Sequence, residues 1–176
     1  MTPFARRCLA LGLLLVVAAF VPLAPVGEAA PLSAPDAVFG AATGTTEDEG
    51  EMTPTGNGRF TVDDRIYVGK VLGRSVAPLA AACFTGDIRS VEEWSLDSAR
   101  MAGTHESAVT IRSDRGVLSL RLRGQMEQFQ ASGTWEITRS TGGCSPLDGS
   151  GKYTATYSPA KGGPNLRLTF DGEAES

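Results

Sequence analysis

Apolar and polar residues alternate with a period of two from Gly58 almost to the C-terminus. The clearest example is VLSLRLRGQME, residues 117–127, in which leucines and a methionine face one way and polar residues face the other. The segments FQASGTWEITR, GSGKYTATY and NLRLTFDG repeat the pattern, with Gly, Asp, Ser and Pro at the breaks. Such alternation is typical of half-buried strands. It predicts an antiparallel β domain of about seven or eight strands.

The order of these strands favours a closed barrel over a sandwich. Successive strands follow one another as simple hairpins, and an up-and-down order of this kind can close on itself. Small coiled barrels also need glycine at inward positions, and five such positions are Gly103, Gly124, Gly133, Gly149 and Gly151. We therefore predict an all-β fold, a single antiparallel up-and-down eight-stranded β-barrel over residues 58–173.

The first 29 residues have the layout of a secretory signal peptide. Two arginines precede a fourteen-residue run of small and apolar residues, Cys8 to Val21, and prolines end it. This run is shorter than a membrane-spanning helix requires. A small-residue site before Ala30 fits cleavage, and an uncleaved N-terminal anchor is the alternative. The protein is predicted to be secreted, with no stable membrane insertion after cleavage.

Residues 30–57 show no periodicity and carry an acidic patch among Gly, Thr and Pro, so we predict a disordered acidic linker. Without residues 1–29 the chain has 14 basic and 19 acidic residues, a net charge of −5. Binding of nucleic acid requires clustered Lys and Arg, and the sequence has no basic stripe. We therefore expect no nucleic-acid partner.

Two cysteines remain after the predicted cleavage, Cys83 and Cys144. An even number in an exported chain favours a disulfide. Alternating strand directions also place both cysteines at the same end of the barrel. No further Cys or His stands at metal-ligand spacing, and we predict neither a metal site nor a cofactor.

The segment TWEITRSTGGCSPLDGSGKYTATY, residues 134–157, resembles the glycine-rich stretch of the allene oxide cyclase barrel-like proteins, a group similar to the dirigent proteins. The matching positions are Thr141, Gly142, Cys144, Leu147, Gly149, Gly151 and Tyr153. Pro146 replaces a glycine of the pattern, and Cys144 replaces an apolar residue. The resemblance implies an eight-stranded barrel with an apolar interior, in which Cys144 could also remain a buried free thiol. It implies no activity, because no cyclase active-site motif is matched.

Candidate chemistry is concentrated in VEEWSLDSARMAGTHES, residues 91–107, which holds the only histidine of the chain. Read as a hairpin with a turn at residues 97–100, it places Glu92 opposite His105 on the inward face. Small residues on neighbouring strands, Gly124, Ala131 and Ala155, are expected to leave room beside the pair. A carboxylate and an imidazole together inside an apolar barrel suit a ligand-binding or acid–base site.

Two plainer interpretations remain open. A buried Glu–His pair can simply satisfy its own hydrogen bonds, and a slip of one residue in register would expose both side chains. We name Glu92, His105, Ser107, Trp135 and Tyr153 as candidate ligand-binding residues, with Glu92 and His105 as the weaker catalytic candidates. Trp135 and Tyr153 also suit a purely structural core.

Upstream of these candidates, Asp64 lies in phase with inward apolar residues, and the pair Asp63-Asp64 is better read as a turn or a bulge than as part of a site.

These observations favour a secreted barrel that binds a small apolar or amphipathic molecule without enzymatic activity. One alternative is an isomerase or cyclase acting on such a molecule, with Glu92 or His105 as its acid–base group. Another is a structural or interaction module whose interior is fully packed.

Overall fold

The computed structural model describes residues 35–158 and 165–176; the predicted signal peptide, residues 1–29, lies outside the described part. The described chain forms nine strands and one short helix. In chain order these are β1 Asp36–Asp48, β2 Glu51–Gly56, β3 Arg59–Ser75, α1 Pro78–Cys83, β4 Gly86–Asp97, β5 Ala102–Arg112, β6 Gly116–Glu127, β7 Gln130–Gly142, β8 Asp148–Tyr157 and β9 Leu166–Glu175.

The sheet closes into an antiparallel barrel. Each strand from β3 to β9 pairs with the next, β9 pairs with β1, and β1 pairs with β3. β1 and β2 pair with successive parts of β3, so together they act as one interrupted strand. The prediction of an all-β, up-and-down, eight-stranded barrel is confirmed.

The prediction of a disordered linker is wrong for residues 36–56, which form β1 and β2, so the barrel begins at Asp36 rather than at Gly58. The inward residues of β1 are small: Val38, Gly40, Ala42 and Gly44. The sequence of β1 therefore shows no clear alternation of strongly apolar and polar residues. Gly40 is needed because a Cβ there would lie 3.0 Å from the ring of Phe170. Backbone pairing to two strands therefore orders a segment whose composition suggests disorder.

A bulge interrupts β3 at Asp63 and Asp64, as the sequence indicated. The register to β4 shifts between Val62 and Arg65, and Asp64 has a φ of 55°. Because strand side chains alternate, one extra residue reverses the faces that follow. The bulge thereby turns Arg65 and Tyr67 toward the interior.

One end of the barrel, which we call the helix end, is closed by α1 and a disulfide. Cys83 at the end of α1 is bonded to Cys144, with the Cα atoms 5.8 Å apart, which confirms the predicted pairing. Phe84 packs edge-to-face on Trp135, with ring centroids 5.7 Å apart. Among the described residues, no helix is long and apolar enough to cross a membrane.

Large side chains fill the interior. Leu96, Leu118, Leu122 and Phe170 are buried with Trp135 in one continuous core. The opposite end, which we call the turn end, carries the short connections at residues 98–101 and 128–129.

Candidate functional site

The hairpin formed by β4 and β5 brings the predicted pair inside, in a register that differs from the predicted one. Trp94 lies opposite His105, and Glu92 lies opposite Ser107. The turn covers residues 98–101, one position later than predicted. Asp97 fixes it there, because its Oδ1 accepts hydrogen bonds from the backbone N–H groups of Ala99 and Arg100 at 3.1 and 3.0 Å. The register shift of two residues keeps each side chain on its predicted face.

A similar correction applies to the turn between β6 and β7. By the alternating pattern, Phe129 is in phase with Ala131 and would face inward, opposite Met126. Instead, Met126 pairs with Ala131, and Phe129 sits in the turn with a φ of 67° and is 36% exposed. The turn therefore takes a residue that the alternating pattern assigned to the strand.

Glu92 is the centre of a buried hydrogen-bond network. Its Oε2 accepts hydrogen bonds from His105 Nε2 and from the hydroxyl of Tyr157, the latter at 2.9 Å. Its Oε1 accepts from Ser90 Oγ at 2.5 Å and from Ser107 Oγ at 3.2 Å. Four bonds match the lone-pair capacity of a carboxylate. The carboxylate is therefore fully hydrogen-bonded within the protein.

His105 connects this carboxylate to two tyrosines. Its Nδ1 lies 2.6 Å from the hydroxyl of Tyr153, and its Nε2 lies 2.8 Å from that of Tyr157. His105 is 0% exposed and Glu92 is 1% exposed. A phenol can donate or accept a hydrogen bond. The Tyr153 hydroxyl can therefore hydrogen-bond to His105 Nδ1 whether or not that nitrogen carries a proton.

Burial and charge set the protonation of the network. Burial raises the pKa of Glu92, but the hydrogen bond and the charge of His105 lower it by more, and the net pKa lies below its usual range. Burial, aided by the negative charge of Glu92, raises the pKa values of Tyr153 and Tyr157. Glu92 is thus an anion, and Tyr157 is a neutral phenol that donates a hydrogen bond to it.

The space expected beside the pair is filled. A Cβ at Gly124 would lie 2.7 Å from the hydroxyl of Tyr153, so this tyrosine occupies the room that the glycine leaves. The ring of Tyr157 packs against Tyr67 and Trp94, with centroids 5.6 and 5.0 Å away. Five cavities of about 180–570 Å³ are lined by described residues other than Glu92 and His105. At Gly124, the expected room is therefore taken by a tyrosine.

Four of the five candidate residues come together: Glu92, His105, Ser107 and Tyr153. Trp135 does not join them, because its Nε1 donates to the carbonyl oxygen of Asp171 at 3.2 Å and its ring packs on Phe84 and Phe170.

The candidate list omitted Ser90 and Tyr157. Both are in phase with residues already assigned to the inward faces of β4 and β8, so the alternating pattern could have added them.

A second inward polar group lies nearer the turn end. Arg65 forms an ion pair with Glu49, and its guanidinium carbon lies 5.5 Å from the ring centroid of Tyr67 and 5.2 Å from that of Trp94. Sequence reasoning missed it, because Arg65 points inward only as a result of the bulge.

No group of three or more His, Cys, Asp or Glu side chains that could hold a metal ion occurs within residues 35–158 and 165–176. Comparison with protein-family models, with curated proteins and with solved structures found no match. The barrel fold implied by the resemblance is therefore established by the coordinates alone, and no family is assigned to the chain.

Proposed function

We propose that the protein binds a small amphipathic molecule inside the turn end of the barrel. The observation that carries the proposal is the buried Glu92–His105 pair with its two tyrosines. Removing two ionisable groups from water is costly, and apolar residues of similar volume often give equal or greater stability. Buried ionisable groups held by specific partners are concentrated at functional sites. Packing alone therefore gives no reason for this network.

Tyr157 is the side chain that a ligand would displace. Its ring lies between those of Tyr67 and Trp94, and its hydroxyl contacts both Glu92 and His105. Tyr157 ends β8, where the backbone leaves the sheet. Rotation of this ring would open an aromatic slot, and a polar group of the ligand would take the place of the phenol on Glu92.

Native mass spectrometry of the full chain, secreted by its own host, tests the proposal. We expect a 1:1 complex with a small molecule, which a double variant of Glu92→Leu and His105→Leu no longer retains. Glu106→Gln, an exposed change on the same strand, is the matched control and should retain it. Ligand-free wild-type protein that also binds no amphipathic probe would contradict the proposal.

The filled interior favours a second candidate, a structural or interaction module without a ligand. If the protein is such a module, we expect it to be ligand-free and the double variant to be at least as stable as the wild type. Chemical conversion of a molecule bound in the same experiment would instead indicate an isomerase or cyclase, with Glu92 or His105 as its acid–base group.

We further propose that the chain is exported and related to the allene oxide cyclase barrel-like proteins. The N-terminal pattern and the Cys83–Cys144 disulfide support export, because disulfides persist in oxidising compartments. The glycine-rich stretch at residues 134–157 and the barrel topology support the relationship.

A further inference from the structure

Three buried polar atoms have no hydrogen-bond partner within the described part of the chain, and all three lie toward the turn end. They are Thr46 Oγ1, Arg65 Nε and Trp94 Nε1. Buried polar groups are almost always paired, and leaving one unpaired destabilises the fold. The nitrogen atoms of arginine and tryptophan can only donate. Arg65 Nε and Trp94 Nε1 therefore lack a hydrogen-bond acceptor, and the Thr46 hydroxyl can donate as well.

These three residues, which we call the donor cluster, are neighbours in the sheet. Thr46 is the cross-strand partner of Tyr67, and Arg65 is the next inward residue along β3. The guanidinium of Arg65 lies over the ring of Trp94, which is only 4% exposed. The three residues thus lie in one small region of the sheet beside the aromatic rings.

The backbone holds Arg65 in this position. Gly50, with a φ of 70°, packs so closely on the bulge that a Cβ there would lie 2.3 Å from the carbonyl oxygen of Asp63 and 2.7 Å from the backbone nitrogen of Arg65. The connection between β1 and β2 is therefore fitted to the bulge, and it carries Glu49 to the guanidinium.

The carboxylate of Glu49 occupies only the outer side of Arg65. Its side chain is 74% exposed, whereas that of Arg65 is 20% exposed. Ion pairs with an exposed partner contribute little to stability. A ligand carboxylate that also reached the buried donors would gain hydrogen bonds that Glu49 does not make, and would replace it.

We propose that the donor cluster binds the carboxylate headgroup of an organic anion with a small apolar body. This inference rests on the proposed function and names the chemical class of its ligand. A positive charge and two obligate donors select an anion over a cation or a neutral group. The carboxylates of Glu49 and Glu92 are close by, and a single arginine opposes them, which favours a monoanion over a dianion such as a phosphate ester.

A matched pair of probes tests the headgroup: 2-naphthoate and its neutral analogue 2-naphthalenemethanol, titrated calorimetrically into the full secreted chain. We expect the wild type to bind the carboxylate at least about tenfold more tightly, because a hydrogen bond to a charged group is stronger than one between neutral groups. Arg65→Gln should abolish the preference. Arg59→Gln removes the same charge from an exposed site on the same strand and should preserve it.

Glu49→Gln gives an independent result without altering the interior. Removal of the competing carboxylate should tighten binding of 2-naphthoate several-fold and leave 2-naphthalenemethanol unchanged. Equal binding of the two probes by the wild type, or no effect of Glu49→Gln, would overturn the headgroup assignment and leave the proposed function intact. If the wild type binds neither probe, the headgroup assignment is overturned; if it also carries no small molecule in native mass spectrometry, the proposed function is overturned with it.

Discussion

Replacing His105 by leucine should lower the free energy of unfolding more than replacing Glu92 by leucine, although the two residues are hydrogen-bond partners. When Glu92 is replaced by leucine, its former donors can pair with one another. Ser90 and Ser107 already have their Oγ atoms 2.6 Å apart, and the Tyr157 hydroxyl already lies 2.8 Å from His105 Nε2. About one hydroxyl then remains unpaired, and we expect a loss of about 1–2 kcal/mol in the free energy of unfolding.

In His105→Leu, no neighbouring group can replace the lost hydrogen bonds in this way. The substitution leaves the Glu92 carboxylate buried beside three hydroxyl groups without its imidazole partner. It also leaves the Tyr153 hydroxyl without its hydrogen bond to His105 Nδ1. Breaking a buried pair by removing one partner costs about 3–5 kcal/mol, because an uncompensated charge stays behind. The two leucine variants should therefore differ by about 2 kcal/mol or more.

The pH dependence of stability should also reverse. In the wild type the folded-state pKa of Glu92 lies below the usual value of 4.5, so its contribution is present above that pH and is lost as the pH falls further. In His105→Leu, burial without the imidazole raises the folded-state pKa of Glu92. That variant should lose stability as the pH rises through this value, and gain it on acidification.

Urea denaturation of the wild type, both leucine variants and the exposed control Glu106→Leu, across pH 3.5 to 8, measures these differences. The control should change the free energy of unfolding by less than about 0.5 kcal/mol. Two results would refute the view that Glu92 is a buried anion held by His105. One is an equal loss of unfolding free energy in the two leucine variants. The other is a His105→Leu variant whose stability, relative to the wild type, does not increase as the pH is lowered.

Three further predictions follow from the disulfide, the tyrosines and the N-terminus. A Cys83→Ala/Cys144→Ala double variant should lose about 4 kcal/mol of unfolding free energy, on the chain-entropy model for a separation of 61 residues. Thiol counting on the unreduced, denatured secreted protein, which is expected to lack Cys8, should find none, and two free thiols would exclude the bond. The chain has three tyrosines, all buried, and burial raises the pKa of Tyr67 to about 12. Absorbance at about 295 nm should therefore show no tyrosinate near pH 10 in the folded protein. Titration of a tyrosine near pH 10 would show that its phenol is exposed to water. Intact-mass analysis of the secreted chain should show a start near Ala30, and full-length protein confined to membranes would reject cleavage.

The sequence was sufficient to predict the barrel and most of the network, because both depend on alternation. Glu92 and His105 were assigned to the interior in a register that was wrong by two residues. An even shift leaves every side chain on its own face, so the error moved partners along the strand and did not expose them. Ser107 and Tyr153 were predicted to join the pair for the same reason.

The parts that were missed depend on contacts between distant segments. β1 has glycine and alanine on its inward face, and its order comes from pairing with β3 and β9 rather than from its own hydrophobicity. The inward position of Arg65 depends on the bulge at Asp64. The expected space beside Gly124 is taken by a tyrosine from β8, a strand about thirty residues later in the chain.

A crystal structure of the protein purified from its own host would test the central claim most directly. We expect density for a small molecule between Tyr67 and Trp94, with Tyr157 rotated away from Glu92 and a carboxylate within hydrogen-bond distance of Arg65. An interior in which Tyr157 remains bonded to Glu92 and His105, with no density beside Arg65 in protein that has never been exposed to denaturant, would contradict it.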